Sequence, residues 1–389
     1  MRRTTRRDML RVCGAAGYTV VGGSWLSACG GSDPIALEPS APPTTSPPFE
    51  GYGALEPADA NGLRLPAGFT SRVIATSGEY VHGTRYVWPI LPDGGATFAT
   101  PAKGWIYVAN SEVPDHGGGV SMVQFDKDGT IIDAKSIASG TSRNCSGGAT
   151  PWNTWLTCEE VPTGMVFQCD PTGAKKAQPL PALGVFNHEA AAVDPNGRTV
   201  YLTEDHPAGG LYRFVPTAYP DLTSGTLEVM TEVGGELGWE AVPDPSGTSV
   251  PTRMQVAQIK RLNGGEGLCY FDGSVYFTTK GDDCVRRYEP STNKLTVVYS
   301  AATSATPVLT GVDNITSTPS GQIYVAEDGG DMQIVMLHGT KAEAVVQLTG
   351  VTGSEMAGVS FSPDGTRLYF SSQRNPGRTY EVKGPWRSS

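Results

Sequence analysis

The stretch NCSGGATPWNTWLTCEE (144–160) sets one cysteine among glycines and a second beside two glutamates. Such a cysteine can be half of a disulfide, or a thiolate kept free to hold a metal that carboxylates help to bind. Acids recur in similar settings. Glu112 ends YVANSE, Glu189 follows His188 in FNHEAAAVDP, and Glu204 and Asp205 end VYLTED. Glu266 opens EGLCYF, Asp313 and Asn314 open DNITS, Glu327 and Asp328 end IYVAED, and Glu355 opens EMAGVSF.

These acids keep phase with a repeat. HEAAAVDPNGRTVYLTED reads as a polar start, a strand, a tight turn and a second strand ending in acids. It returns as EGLCYFDGSVYFTTKGDD, DNITSTPSGQIYVAED and EMAGVSFSPDGTRLYFSSQ, and more weakly as DGGATFATPAKGWIYVANSE and NCSGGATPWNTWLTCEE. Almost no segment has helical periodicity. About six such units predict an all-β chain, a six-bladed β-propeller over residues 63–389 with its site on the central axis. The first strand of each blade lines the channel and the second returns beside it, so strand starts and second-strand ends share one end of the wheel. Starts supply Cys145, Glu189, Glu266, Asp313, Asn314 and Glu355; ends supply Glu112, Glu159, Glu160, Glu204, Asp205, Glu327 and Asp328. Carboxylates gathered on one axis repel and raise each other's pKa values unless cations sit among them.

Other motifs lack their context. FDKDGT resembles an aspartyl-phosphate signature, but alternating strands flank it where a buried parallel strand and a helix are needed. NHEAAA has Ala192 where a zinc-protease helix has its second histidine, and no G-x-S-x-G elbow occurs. The five histidines have no clustered zinc spacing.

The ends and composition bound the setting. Arg6-Arg7 before an apolar, glycine-rich run reads as a twin-arginine export signal over 1–28, and LSAC (26–29) as a lipoprotein box with Cys29 as the lipidated residue. Residues 29–62, rich in Pro, Ser and Thr, read as a tether. The expected location is therefore periplasmic or cell-surface, with membrane contact through the lipid alone. A formal charge of −10 argues against a nucleic-acid partner; a monomer acting on a small molecule is expected. Cys158 and Cys169 flank EEVPTGMVFQ, and a hairpin there would pair them in a disulfide; Cys145 has no such partner. The segment 217–261 exceeds the blade spacing and reads as an insertion over the channel mouth.

Taken in order, NCSGGATPWNTWLTCEE, FNHEAAAVDP, VYLTED, LYRFVP and DNI…GQIYVAED resemble the PhoX-type alkaline phosphatases, over about residues 65–373. The resemblance implies a metal-dependent phosphomonoesterase with ferric iron (Fe3+) and calcium (Ca2+) on the propeller axis, and metal-activated oxo or hydroxo attack on phosphorus. It implies Cys145 as an iron ligand, and Glu159 or Glu160, Glu189, Glu266, Asp313, Asn314 and Glu327 as metal ligands. Glu112 and Glu204 join them by phase. Cys145, Glu189, Glu266 and Arg143 would be catalytic, with Arg143 and Arg213 the candidates to contact phosphate. The chain departs from the family at Ser111, where a histidine is frequent, at Ser146 for alanine and at Asn153 for glycine. One alternative is a calcium-dependent propeller lactonase or phytase, which does not use a thiolate; the other is a non-catalytic surface propeller stabilised by calcium, which would lose stability without calcium and turn over no ester.

Overall fold

The computed structural model describes residues 51–387 apart from Thr306 and Thr340. The export signal, Cys29 and most of the tether lie outside the described residues. Short apolar alternations broken by Gly- and Asp-containing turns fold as antiparallel meanders. The helical pieces among the described residues are single 3-10 turns such as Thr252–Met254.

Six sheets of four or five strands form the blades. Their innermost strands are Pro92–Ala99, Asn144–Ala149, His188–Asp194, Gly265–Phe271, Val312–Ser317 and Met356–Phe361, and each touches the next around a ring that the sixth closes onto the first. The second strands are Trp105–Ser111, Trp155–Glu159, Thr199–Glu204, Ser274–Thr279, Ile323–Glu327 and Arg367–Ser372. Closure uses both ends of the chain: Thr70–Thr76 pairs with Arg378–Lys383 as the outer strand of blade six, and Leu63–Arg64 edges blade five. The blades stack on aromatic layers, as where Trp105, Tyr107, Phe125 and Tyr369 lie buried together. Each large buried side chain contributes roughly 1.5–3 kcal/mol.

Three expectations are corrected by this architecture. The fold begins before residue 63. Tyr52 packs edge-on against Phe69 at 5.3 Å and Trp386 at 5.5 Å, and the Tyr52 and Gly53 N–H groups donate to Glu343. Much of 217–261 belongs to blade three, as strands Asp221–Val233 and Glu236–Ala241 after Leu211–Ala218. Only the stretch beyond Ala241 leaves the sheet, and it returns along blade three, where Ile259 bridges to Thr231 and Arg253 pairs with Glu204 at 2.7 Å. Cys158 and Cys169 are free. Cys158 lies opposite Val166 and Cys169 opposite Trp155, so the two are offset along the ladder. They also enter different cores, Cys158 with Leu156 and Leu202, Cys169 with Trp155 and Val108. Side chains on opposite faces of a sheet cannot be bridged.

Candidate metal centre

Each innermost strand breaks its pairing near its start. In the first five blades the pairs Pro92↔Ser111, Asn144↔Glu159, His188↔Glu204, Gly265↔Thr279 and Val312↔Glu327 each precede a register shift. Two residues then oppose one, which is a β-bulge, and a bulge re-aims side chains off the strict alternation of the strand. The first bulged residues are Asp93, Cys145, Glu189, Glu266 and Asp313. In blade six the shift comes one residue later, after Ala357, and no ligand stands at that place. Glu355 supplies the carboxylate from two residues upstream.

The bulges are locked from neighbouring blades. Asn110 donates to the carbonyls of Cys145 and Ser146, Thr203 to that of Glu266, and Thr278 to that of Asp313. A small residue follows the ligand in the first four blades (Gly94, Ser146, Ala190, Gly267), and at the two glycines the next inner strand lies directly against the backbone. A Cβ on Gly94 would stand 2.5 Å from Ser146 Cα, and one on Gly267 2.7 Å from Asn314 Cα.

A second ring caps the first. The residue just past each second strand is Glu112, Glu160, Asp205, Lys280, Asp328 or Gln373. Each donates its N–H to a carbonyl that precedes the inner strand, those of Leu91, Arg143, Asn187, Gly264, Gly311 and Glu355 respectively. The residue before it turns away from the axis. Glu159 accepts from the N–H groups of Ser142 and Met165, and Glu327 from those of Thr310 and Gln333. Glu204 is taken up by Arg253 and the Tyr212 hydroxyl. Glu159, Glu204 and Glu327 therefore hold loops and blades, which corrects the expectation that they ligate; in the Glu159-Glu160 pair it is Glu160 that faces the axis. Ser111 occupies the same outward place and donates to the Ile90 carbonyl, so the histidine missing there is not missing from the channel.

The axis-facing side chains form three groups, each with ligand atoms within 4.8 Å of one another: Cys145, Glu160 and Glu189; Glu189, Glu266 and Asp313; and Asp93, Glu112 and Glu355. Glu189 is shared by the first two, and Cys145 Sγ lies 3.8 Å from Asp93 Oδ1. Burial first, then neighbouring carboxylates, push Glu160 and Glu355 up to about 8 and raise Asp93, Glu189 and Glu266 well above the carboxylate range. Burial also dominates at Asp313, pushed up to about 7. The Cys145 thiol is raised by burial and by Asp93, Glu189 and Glu160. Glu189 Oε1 and Gln373 Oε1 are buried with no hydrogen-bond partner. Buried polar atoms are nearly always satisfied, so orphaned oxygens amid like charges fit bound cations. The oxygen-only groups suit hard cations, and the thiol-containing group suits a transition metal.

The remaining candidates take other places. Asn314 donates to Asp313 and accepts from the Gly358 N–H, tying blade five to blade six. Arg143 lies 3.2 Å from Glu112, half exposed at the rim. Arg213 pairs with Glu228 and stacks on Trp239 at 4.5 Å, away from the axis groups. His188 is buried, bonded to the Gly184 carbonyl and stacked on Phe186, and burial lowers its pKa to about 4. It is a neutral packing residue. Sequence reasoning missed Asp93, Lys280, Gln373 and Arg374. Gln373 donates to both Asp93 and Glu112, and Arg374 lies 3.3 Å from Glu355. Asp93 opens its unit in phase with Cys145, Glu189, Glu266 and Asp313, and that phase is the signal that finds it.

The family model of alkaline phosphatase PhoX matches residues 118–168 and 162–279. Pseudomonas fluorescens PhoX, in complex with the transition-state analogue vanadate, superposes with a TM-score of 0.69 at 16% identity, covering 85% of this chain and 97% of that one. The gluconolactonase of Xanthomonas campestris gives 0.51 at 13% identity, covering 86% and 98%. The PQQ domain of Coprinopsis cinerea pyranose dehydrogenase gives 0.53 at 11% identity, covering 84% and 98%. At these identities the structures share the fold alone. No curated protein sequence matches.

Proposed function

With the PhoX resemblance borne out by its family model, we propose that this chain is a metal-dependent phosphomonoesterase working at the acidic end of its propeller axis. The observation that carries this reading is Cys145, a thiol at a bulged ligand position beside Glu160 and Glu189, in a channel whose other ligands are oxygens. A lactonase, a phytase or a calcium-stabilised binding propeller has no use for sulfur there.

The residues fit the metals that the family resemblance implies. Cys145, Glu160 and Glu189 would hold ferric iron. Glu189, Glu266 and Asp313, and separately Asp93, Glu112 and Glu355, would hold calcium. When bound, such cations invert the field of the channel, polarise phosphoryl oxygens and activate water. The chain does the positioning. Gln373 fixes Asp93 and Glu112, and the bulge locks fix Cys145, Glu266 and Asp313. Arg143 and Arg374 stand at the rim beside Glu112 and Glu355, where guanidiniums can orient a phosphate dianion. Export by the twin-arginine route and lipidation at Cys29 would place the monomer at the membrane surface outside the cytoplasm, and the motifs at 6–7 and 26–29 support this.

The test is elemental analysis of the exported protein, paired with hydrolysis of a chromogenic phosphomonoester with and without a chelator. Iron and calcium together with chelator-sensitive hydrolysis are expected. Calcium without iron, and no hydrolysis, would remove the role given to Cys145 and favour the lactonase or binding readings.

A further inference from the structure

In the ring at the ends of the second strands, one place breaks the chemistry of the rest. Glu112, Glu160, Asp205, Asp328 and Gln373 offer oxygens; the fourth blade offers Lys280. Its ammonium lies 2.6 Å from Glu266 Oε1 and 3.1 Å from Asp205 Oδ2. Asp205 belongs to blade three and to the outer ring, while Glu266 belongs to blade four and to the inner ring. The ammonium thus spans two blades and both rings, as an ion at that point would.

The backbone that presents it is fixed, while the side chain is 41% exposed. The Lys280 N–H donates to the Gly264 carbonyl, and the chain goes directly into a 3-10 turn, Lys280–Asp282. Gly281 lies so close to Asn263 that a Cβ there would stand 2.2 Å from its side chain. Glu266 is almost wholly buried, so its charge needs a partner from within the channel. An ammonium needs only about three acceptors, whereas calcium at the same point would need water beside Asp205 and Glu266 to complete its set of about six to eight oxygens, so the ammonium is the better fit while it is present.

We propose that Lys280 is a resident cation of the axial array, its ammonium standing where an ion shared by Asp205 and Glu266 would otherwise sit. The point between Asp205 Oδ2 and Glu266 Oε1 is balanced by the chain itself and loads no metal, while Glu266 still faces the group it forms with Glu189 and Asp313. The inference rests on the phosphatase reading only in taking the neighbouring groups as ion sites.

The experiment counts ions. Lys280→Gln and Lys280→Arg are expressed with the wild type, stripped, reloaded with calcium and iron, and analysed for metal. Lys280→Gln is expected to gain about one calcium per chain and a larger rise in Tm on calcium addition than the wild type. Lys280→Arg, which keeps the charge, is expected to match the wild-type count. An unchanged count in folded Lys280→Gln, with an unchanged calcium response, overturns the proposal. Should Lys280→Gln not fold, the wild type decides: in crystals loaded with manganese in place of calcium, an anomalous peak between Asp205 and Glu266 overturns it, and its absence beside occupied neighbouring groups supports it. A wild type without phosphatase activity would remove the function proposed above and leave this count to be read independently.

Discussion

Stripping the cations should make this protein's stability fall as pH rises, and the carboxylate rings set how far. In the metal-free fold Glu160 and Glu355 titrate near 8 and Asp313 near 7, whereas their ordinary values are 4.5 and 3.8. At pH 5 the folded protein keeps protons that the unfolded chain has largely released. Folding then takes up protons, and stability is lost with rising pH, beginning above 3.8 for Asp313 and 4.5 for Glu160 and Glu355, and complete once pH passes about 8. A single carboxyl displaced from 4.5 to about 8 accounts for roughly 5 kcal/mol. The three are coupled, and Glu160 and Glu355 keep some contact with solvent, so their shifts do not add and about 5 kcal/mol is the figure for the set. For a domain of this size that lowers Tm by on the order of 10 °C between pH 5 and pH 8.5. Calorimetry in chelator against pH measures it, with calcium- and iron-loaded protein in parallel, where deprotonated ligands are satisfied and the slope should vanish. A chelated Tm that stays flat or climbs over this range would refute the reasoning. So would an equal slope in the loaded protein, because the ions would then not lie among these carboxylates.

Three further outcomes test the assignment of side chains. Glu160→Gln should lose the transition metal and lower hydrolysis by at least ~100-fold; Glu159→Gln should keep its metals and lose only about 1–3 kcal/mol, from weakened acceptance of the Ser142 and Met165 N–H groups. Cys145→Ser should release iron and lower kcat by at least ~100-fold with Tm changed by only a few degrees, read by elemental analysis, steady-state kinetics and calorimetry. Arg143→Ala and Arg374→Ala should each raise KM for a phosphomonoester about 10-fold while the metal content stays at the wild-type level.

The blade phase was legible because each hairpin is marked twice, by a turn such as DPNG or SPDG and by apolar alternation on both sides. Acids in phase with those marks led to the axis. Which acid of a pair faces it was not legible, because that depends on where the second strand leaves its ladder, and Glu159 and Glu160 are equal as letters. Asp93 was missed because the unit it opens, DGGATFATPAKGWIYVANSE, is one of the two weaker copies of the repeat, and Lys280 because a lysine at a strand end is ordinarily a solvated charge. The tether boundary was misplaced because Tyr52 is held by Trp386 and Glu343, at the other end of the chain. The disulfide was expected from a symmetric hairpin, and the ladder offset that separates the cysteines arises from a turn in which Glu159 N–H bonds the Met165 carbonyl.

The bulge explains why a propeller can build this centre at all. A regular inner strand alternates its side chains between its two faces, and both faces are covered by neighbouring blades. Nothing in that alternation points along the axis. Opposing two residues to one breaks it in the first five blades at the same height, so Asp93, Cys145, Glu189, Glu266 and Asp313 meet as a ring without any loop to hold them. The cost is a carbonyl thrown out of the ladder, and Asn110, Thr203 and Thr278 satisfy such carbonyls from the adjacent blade. Blade six tests this logic within the same molecule. There the shift is displaced by one residue, Ala357 stands at the ligand place, and Glu355 has to reach in from outside the strand. Rigidity of the ring therefore comes from sheet register, and that is the precision the proposed cation sites would require.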